Sequence, residues 1–482
     1  MDSRLGGHAR LKFAARFQAS MRLFNIFIPA TLIGLIFSEL VLVSSSFVVA
    51  AYIVSDVDPS VWLMYSDGIA RIAVMAVGVI LGLYFQDLYA DIRVTSKVAL
   101  IQQYCLVIGV AFLIQAMLSY TAPSLVLPRW VMMIGSGLIL ITMPAWRIVY
   151  GSLVVQGLAS QRVLFLGSSK VAREIAQRLA NRPELGMASI GFVDDIEDES
   201  NLPEGQKLLG PLSRMREIVA SSKPDVIVVG MSERRGRLPV QDLLELRFSG
   251  SRIEDAATNY ERTFGRVSLS EIHPSQLIFS TELGPRPNRM ALQTMYSLAI
   301  ALVVAVVTAP LMLLIAVLIR LTSRGPALYR QRRVGLNGHL FMLYKFRSMR
   351  IDAEAETGAV WASLDDPRAT GLGKWLRRLR LDELPQLLNV LRGEMSIVGP
   401  RPERPEFMAT LAEKIPFYPQ RLCVKPGITG WAQINYKYGD TLDDTVAKLE
   451  YDLYYIKNLS PALDAYVLFH TLKVMLLSRG AQ

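Results

Sequence analysis

The chain has 482 residues, more than one hydrophobic core usually serves, so several folded units are expected. Half of its residues are apolar and its mean hydropathy is +0.31, values that exclude an ordinary soluble enzyme and fit a protein partly in lipid. Two cysteines, Cys105 and Cys423, exclude a disulfide framework and a thiolate metal site, and the net charge of +10 calls for anionic partners.

Four apolar stretches fill the first third: residues 24–54, 72–86, 98–120 and 131–150. Each is near the roughly 20 residues that cross a bilayer, which predicts a four-helix transmembrane bundle over residues 1–155. Arg4, Arg10, Lys12, Arg16 and Arg22 precede the first stretch, and Arg93 and Lys97 lie in the second loop. The first loop instead carries Asp56, Asp58 and Asp67. The positive-inside rule therefore puts both ends of the bundle in the cytoplasm. No small-residue cleavage site is evident before the first long apolar run, so the amino-terminal segment is expected to be retained. Glu39 lies inside the first span, where an ionisable group is either functional or part of a buried structural network.

From residue 162 to about 255, short β-branched runs alternate with amphipathic helices. "VLFLG", "SIGFVDD", "DVIVVG" and "SRIED" read as strands, with "KVAREIAQRLA" and "VQDLLELRF" as helices. This predicts a Rossmann-like α/β domain, with its linker, over residues 156–285. The turn from Gly167 to Ala172 resembles a dinucleotide fingerprint lacking two of its three glycines. A scaffold or regulatory role is therefore expected over nucleotide binding.

A fifth apolar run, residues 295–319, has Arg286 and Arg289 before it and Arg320 and Arg324 after it. Positive charge at both ends places both ends in the cytoplasm, and Pro310 near the middle favours a break. The prediction is a re-entrant helix that enters one leaflet and returns. Between residues 320 and 350 stand eight Lys or Arg residues and no acid, directly after this run. That placement indicates a membrane surface or phosphate groups, not nucleic acid.

The last region, 286–482, reads as the re-entrant helix plus a mixed α/β catalytic domain. Its candidate chemistry lies in "YKFRSMR" (344–350), "LDELPQLLNVLRGEMSIVGPRPERPEF" (381–407) and "VKPGITGWAQINYKYG" (424–439). Adjacent residues on a helix point about 100° apart, so Asp382 and Glu383 cannot flank one bond as a glycosidase pair must. One can be a nucleophile at phosphorus and the other can hold Mg²⁺. Pro385 fits only a first helical turn, with Leu384, Leu387, Leu388 and Leu391 as the apolar face. The pair is thus expected at or just before a helix amino terminus. Lys345, Arg347, Arg377 and Arg401 are candidate phosphate clamps, Arg401 being fixed between two prolines. Surface ion pairing, such as Asp382 with Arg378, is the competing reading.

"KFRSMR", "LDELPQLLNVLRGEMSIVGPRP" and "KPGITGWAQIN", in this order after a proline-broken apolar helix, resemble the bacterial polyprenyl-phosphate sugar-1-phosphate transferases, also called monotopic phosphoglycosyl transferases. The resemblance covers about residues 295–480. The bundle and Rossmann-like region resemble the large members that start exopolysaccharide or O-antigen repeat units. "GRVSLSEIHPSQLIFS" and "GPRPERPEF" look most like the exosortase-associated branch. The resemblance implies a UDP-sugar donor, Mg²⁺, and attack by Asp382 on the sugar-bearing phosphate with loss of UMP. It also implies transfer of the phosphosugar to undecaprenyl phosphate. Glu383 then falls on the metal ligand, and Arg377 and Arg401 on the phosphate-binding arginines. A homodimer in the bacterial inner membrane, with its catalytic domain facing the cytoplasm, is expected. Where the family has Ser-Pro this chain has Ala309-Pro310, which leaves the freed carbonyl to Thr308 or water. The rival reading is a membrane-anchored Rossmann oxidoreductase or sugar epimerase with its cofactor at Gly167. A scaffold or transporter would need polar residues distributed through several spans, and few appear, Glu39 among them.

Overall fold

The computed structural model describes residues 21–23, 26–28, 30–54, 59–65, 67–89, 97–155, 161–182, 185–195, 202–231, 237–270, 286–350, 368–436 and 441–477. Contacts divide the chain into two units, one made chiefly of residues 27–256 and the other of residues 257–482. Four helices open the first unit: α1 (Ala30–Val54), α2 (Gly68–Phe85), α3 (Lys97–Thr121) and α4 (Arg129–Val155). All four are long and apolar enough to cross a membrane. They coincide with the four predicted stretches, and α2 extends the shortest of these upstream to Gly68. Most of the charges used for the orientation argument, Arg4, Arg10, Lys12, Arg16, Arg93, Asp56 and Asp58, lie outside the described residues.

The same unit holds five parallel strands, β1 (Gln161–Leu166), β2 (Met187–Val193), β3 (Leu208–Gly210), β4 (Val226–Val229) and β5 (Arg252–Asp255), in the order β3-β2-β1-β4-β5. Every residue of β4 and the last four of β1 are buried, as expected of parallel strands covered on both faces. The connecting helices are α5 (Lys170–Asn181), α6 (Met215–Ser222) and α7 (Val240–Phe248). Sequence patterning missed β3 and α6, which are short and carry little periodicity. At the carboxyl end of β1 the backbone is left-handed at Gly167, where a Cβ would lie 2.7 Å from Gly230 O. The next amide, Ser168 N, and the Ser168 hydroxyl both donate to Asp194 Oδ2, at 2.8 and 2.6 Å.

The second unit begins upstream of residue 286, with most of α8 (Ala256–Phe264). A 36-residue helix, α9 (Pro287–Thr322), follows and keeps its helical pattern through Pro310. The Thr308 hydroxyl donates to Val304 O at 2.7 Å, one turn back, and not to Val306 O, the carbonyl that Pro310 deprives of its donor. Gln293, Ser297 and Ala301 bury one end of α9 and Ile315 and Ile319 the other, whereas Val306, Val307 and Leu313 between them are exposed. Strands β6 (Leu328–Val334) and β7 (Leu340–Phe346) form an antiparallel hairpin that pairs Tyr329 with Lys345. Helix α10 (Gly371–Arg378) starts where Thr370 Oγ1 accepts from Gly373 N. A 3₁₀ turn (Leu381–Gln386) runs into the short α11 (Leu387–Leu391). Parallel strands β8 (Ser396–Val398) and β9 (Gly427–Thr429) come next, with α12 (Pro405–Lys414) and α13 (Trp431–Asn435). The unit closes with α14 (Leu442–Asn458), opened by a Thr441–Asp444 capping box, and α15 (Pro461–Leu477). Its main core joins Val390, Ile397 and Val398 to Leu449, Leu453 and Leu463.

In the first unit Glu39, on α1, is fully buried and has the partner that the sequence does not show. Arg147, on α4, places Nε 3.0 Å from Glu39 Oε1 and donates through Nη2 to Oε2 at 3.3 Å. Tyr89 donates to Oε2 at 2.6 Å, and Arg147 Nη1 reaches Leu88 O at 3.0 Å. The pair ties α4 to α1 inside the first unit, as the structural reading of Glu39 expects, with Arg147 Nε at ion-pair distance only and its two terminal nitrogens hydrogen-bonded. Removing one partner of a buried pair strands the other charge, so Arg147→Met should cost about 3–5 kcal/mol of stability in detergent denaturation. The double variant Glu39→Gln/Arg147→Met should lose less than the single.

Candidate active site

Arg380 takes a left-handed conformation (φ 54°) that turns the chain out of α10 and into the 3₁₀ turn carrying Asp382 and Glu383. Both acids are buried, at 8% and 9% exposure, which removes the surface ion-pair reading. Pro385 sits in this 3₁₀ turn, two residues before α11 and not in its first turn as expected, and α11 has only five residues and offers little dipole. Of the expected apolar face Leu387 is buried, whereas Leu388 is 39% exposed and Val390 replaces it in the core.

Lys345 Nζ donates to Glu383 Oε1 at 2.8 Å, and Arg401 Nη2 donates to the same oxygen at 3.2 Å. Burial pushes the Glu383 carboxyl up, but Lys345, Arg401 and Arg380 outweigh it and hold the group well below the carboxylate range. For Asp382 burial prevails. Assisted by the adjacent Glu383 charge, it keeps the carboxyl above its ordinary value against the pull of Lys345, Arg401 and Arg377. Burial likewise lowers the Lys345 ammonium, despite its contact with Glu383. Two neighbouring carboxylates are thus driven apart: Glu383 is a fixed anion and Asp382 the more basic of the two.

Five of the six residues proposed for the chemistry converge: Asp382, Glu383, Lys345 and Arg401 by contact or adjacency, and Arg377 through its effect on Asp382. Arg347 does not join them. Its Nη1 donates to Arg324 O at 2.6 Å and its Nη2 to Ser323 O at 2.9 Å and Ser323 Oγ at 2.7 Å. These contacts hold the turn that follows α9, apart from the acid pair, so in this structure Arg347 anchors the exit of that helix. Among the described residues no group of three or more His, Cys, Asp or Glu could hold a metal ion.

Sequence reading missed the groups that hold this cluster. Asn389 is fully buried and fastens α11 to β7. Its Nδ2 donates to Met342 O and Glu394 Oε2, both at 2.7 Å, and its Oδ1 accepts from Tyr344 N at 3.1 Å. A polar residue among the leucines of "QLLNVL" was the available signal. Arg421 pairs with buried Asp452 at 2.7 Å and donates to Arg401 O at 3.0 Å, and Arg333 donates to Pro402 O at 2.9 Å. No local pattern announces those contacts, because their partners lie 20 to 69 positions away.

The bacterial sugar transferase profile matches residues 288–478, the span from the start of α9 to just past α15. The chain is 43% identical over 222 residues to a UDP-N-acetylgalactosamine-undecaprenyl-phosphate N-acetylgalactosaminephosphotransferase of Aeromonas hydrophila, covering 46% of this chain and 52% of that one. It is 32% identical over 332 residues to the UDP-glucose:undecaprenyl-phosphate glucose-1-phosphate transferase of Escherichia coli (strain K12), covering 67% and 70%. To the exopolysaccharide production protein PSS of Rhizobium leguminosarum bv. phaseoli it is 41% identical, over 40% of this chain and 98% of that protein. The alignments span between about half and two thirds of the first relatives it matches. Agreement of profile and relatives over the unit that carries the Asp382–Glu383 cluster shows that the chain belongs to the bacterial sugar transferase family.

Proposed function

We propose that the chain transfers a sugar 1-phosphate from a UDP-sugar to undecaprenyl phosphate, releasing UMP, as the first membrane step of exopolysaccharide or O-antigen synthesis. The observation that carries this reading is the buried Asp382–Glu383 pair with Lys345 and Arg401 on Glu383. The names of the relatives supply the substrate class. An Asp382 oxygen attacks the sugar-bearing phosphorus, the bond from that phosphorus to the bridging oxygen breaks, and UMP leaves with that oxygen. A phosphate oxygen of the lipid then attacks the aspartyl phosphate, which restores the carboxylate and forms the lipid diphosphosugar. Both substrates are anions meeting an anionic nucleophile, so Lys345, Arg377 and Arg401 offset the repulsion and the charge developed in transfer.

Two adjacent hard carboxylates suit a Mg²⁺ ion that keeps waters and takes its remaining ligands from phosphate, so the donor set fits one arriving with the diphosphate. Glu383, with Asp382 beside it, would hold the ion, which supplies charge neutralisation when bound. The re-entrant reading of α9 draws support from burial. Both ends of the helix pack into the same unit, and the exposed apolar stretch between them contains Pro310, where helices bend. Leu384, beside the pair, packs against the clusters at both ends. With both ends of α9 on one side, the cytosolic origin of UDP-sugars supports a catalytic domain on the cytoplasmic face of the inner membrane. The oxidoreductase reading is disfavoured by Asp194, whose carboxylate takes the Ser168 amide and hydroxyl in the turn where a dinucleotide would place phosphate.

Asp382→Asn should abolish UMP release from UDP-sugars while leaving the fold intact, and Glu383→Gln should lose both activity and response to Mg²⁺. Wild-type-like turnover by either variant removes its assigned role. Because Asp382 must be ionised to attack and its carboxyl is raised, kcat/KM should rise with pH along an acid limb. The midpoint should lie above the ordinary aspartate value of about 3.9. A midpoint at or below that value would contradict the burial argument. For topology, cysteines replacing Asn288 and Arg324 should both be shielded from an impermeant thiol reagent in intact cells and react after permeabilisation. Reaction of the second from outside would show a helix that crosses.

A further inference from the structure

The family profile begins at residue 288, yet the catalytic unit begins at residue 257. The stretch between α8 and residue 270 lies along α13 and α14. At its start, Lys457 donates to both oxygens of Glu261 at 3.0 Å. Gly265, left-handed at φ 65°, turns the chain, and its carbonyl accepts from Trp431 Nε1 at 2.8 Å. Val267 N donates to Glu450 O at 3.1 Å and its side chain, 3% exposed, enters the main core. Glu450, itself buried, accepts from Leu269 N at 3.1 Å and pairs with Arg266 at 3.3 Å. An accessory linker would not commit a backbone carbonyl, two amides, two ion pairs and a core side chain to one surface.

Trp431 is 5% exposed and stacks on Tyr454 with ring centroids 5.7 Å apart. It directly follows Gly427–Gly430, which lies backbone to backbone against the loop that carries Arg401. Gly399 N donates to Thr429 O at 2.9 Å and Gly427 N to Pro400 O at 3.0 Å. A Cβ on Gly430 would stand 2.2 Å from Gly399 O, and one on Gly427 2.1 Å from Gly399 N. No side chain separates the two segments, so displacement of one reaches the other without slack. Arg401 in turn ends on Glu383.

We infer that residues 257–270 are a strap belonging to the catalytic unit, and that Trp431 is a positioning residue through which the strap fixes Gly427–Gly430 and hence Arg401. This inference rests on the proposed reaction for its consequence in turnover, but the packing it describes is testable without turnover. Trp431→Phe in the full chain keeps a ring beside Tyr454 and deletes the donor to Gly265 O together with the part of the indole that packs against Gly265. A hydrogen bond of net worth near 1 kcal/mol corresponds to about a five-fold change. Hydrogen exchange at the Gly399 and Gly427 amides should therefore quicken about five-fold, and kcat/KM for the UDP-sugar should fall by a similar factor. In an Arg401→Met background the same substitution should have no further kinetic effect, because the route runs through Arg401. Glu450→Gln, which removes the Arg266 pair from the strap's other end, should give the same exchange pattern and serves if Trp431→Phe does not fold. Unchanged exchange at Gly399 and Gly427 in a folded variant overturns the inference, as does an undiminished kinetic effect of Trp431→Phe without Arg401. Lack of turnover by the wild type would instead count against the proposed reaction and leave the exchange result to decide the strap.

Discussion

Two carboxylates on consecutive residues, both buried, would repel each other and resist desolvation, so the catalytic unit depends on bringing fixed cations to Glu383. Lys345 comes from a hairpin strand and Arg401 from a loop beyond β8, 38 and 18 positions away in sequence. Neither long side chain would hold one geometry on an open surface, where rotamer entropy and water compete with the pairing. Each is held because its backbone is held: Asn389 ties β7 to the helix that follows the acids, while Arg421 and Arg333 grip the carbonyls of Arg401 and Pro402. The charge arrangement that separates the two acids is therefore a product of neutral and cationic brackets one layer further out.

The glycines serve the same end by a different means. Gly399, Gly427 and Gly430 bring two backbones so close that any Cβ would overlap a neighbouring main-chain atom. Arg421, which supports the same loop from the other side, is itself compensated by Asp452, with both side chains nearly inaccessible. The loop that ends in Arg401 is thus gripped along its length. A rigid guanidinium suits electrostatic stabilisation, which works only if the donors are in place before charge develops.

Much of this was legible in the sequence because the signals were local. The apolar runs gave the helices long enough to cross a membrane, period-two and period-3.6 patterning gave most of the parallel sheet, and Pro385 next to an acidic pair marked the turn proposed for the chemistry. What the sequence withheld depends on contacts over long separations. Glu39 and Arg147 stand 108 positions apart, so a lone acid in a span and an arginine near the end of another read as separate facts. Arg347 belongs to a motif that reads as phosphate-binding, but three-dimensional proximity to the end of α9 gives it carbonyls to hold. The strap escaped notice for a related reason: the residues from 257 to 270 carry no motif, and only folding brings them to Trp431 and Glu450.

The central claim is that Asp382 itself becomes bonded to phosphorus. Incubating the full chain with a UDP-sugar and no lipid acceptor, quenching, and sequencing the peptides by mass spectrometry tests it directly. The account predicts a phosphosugar adduct on the peptide containing Asp382, formed with one equivalent of UMP and discharged when undecaprenyl phosphate is added. An adduct on another residue, or product formed at full rate with no adduct on the enzyme, would contradict it.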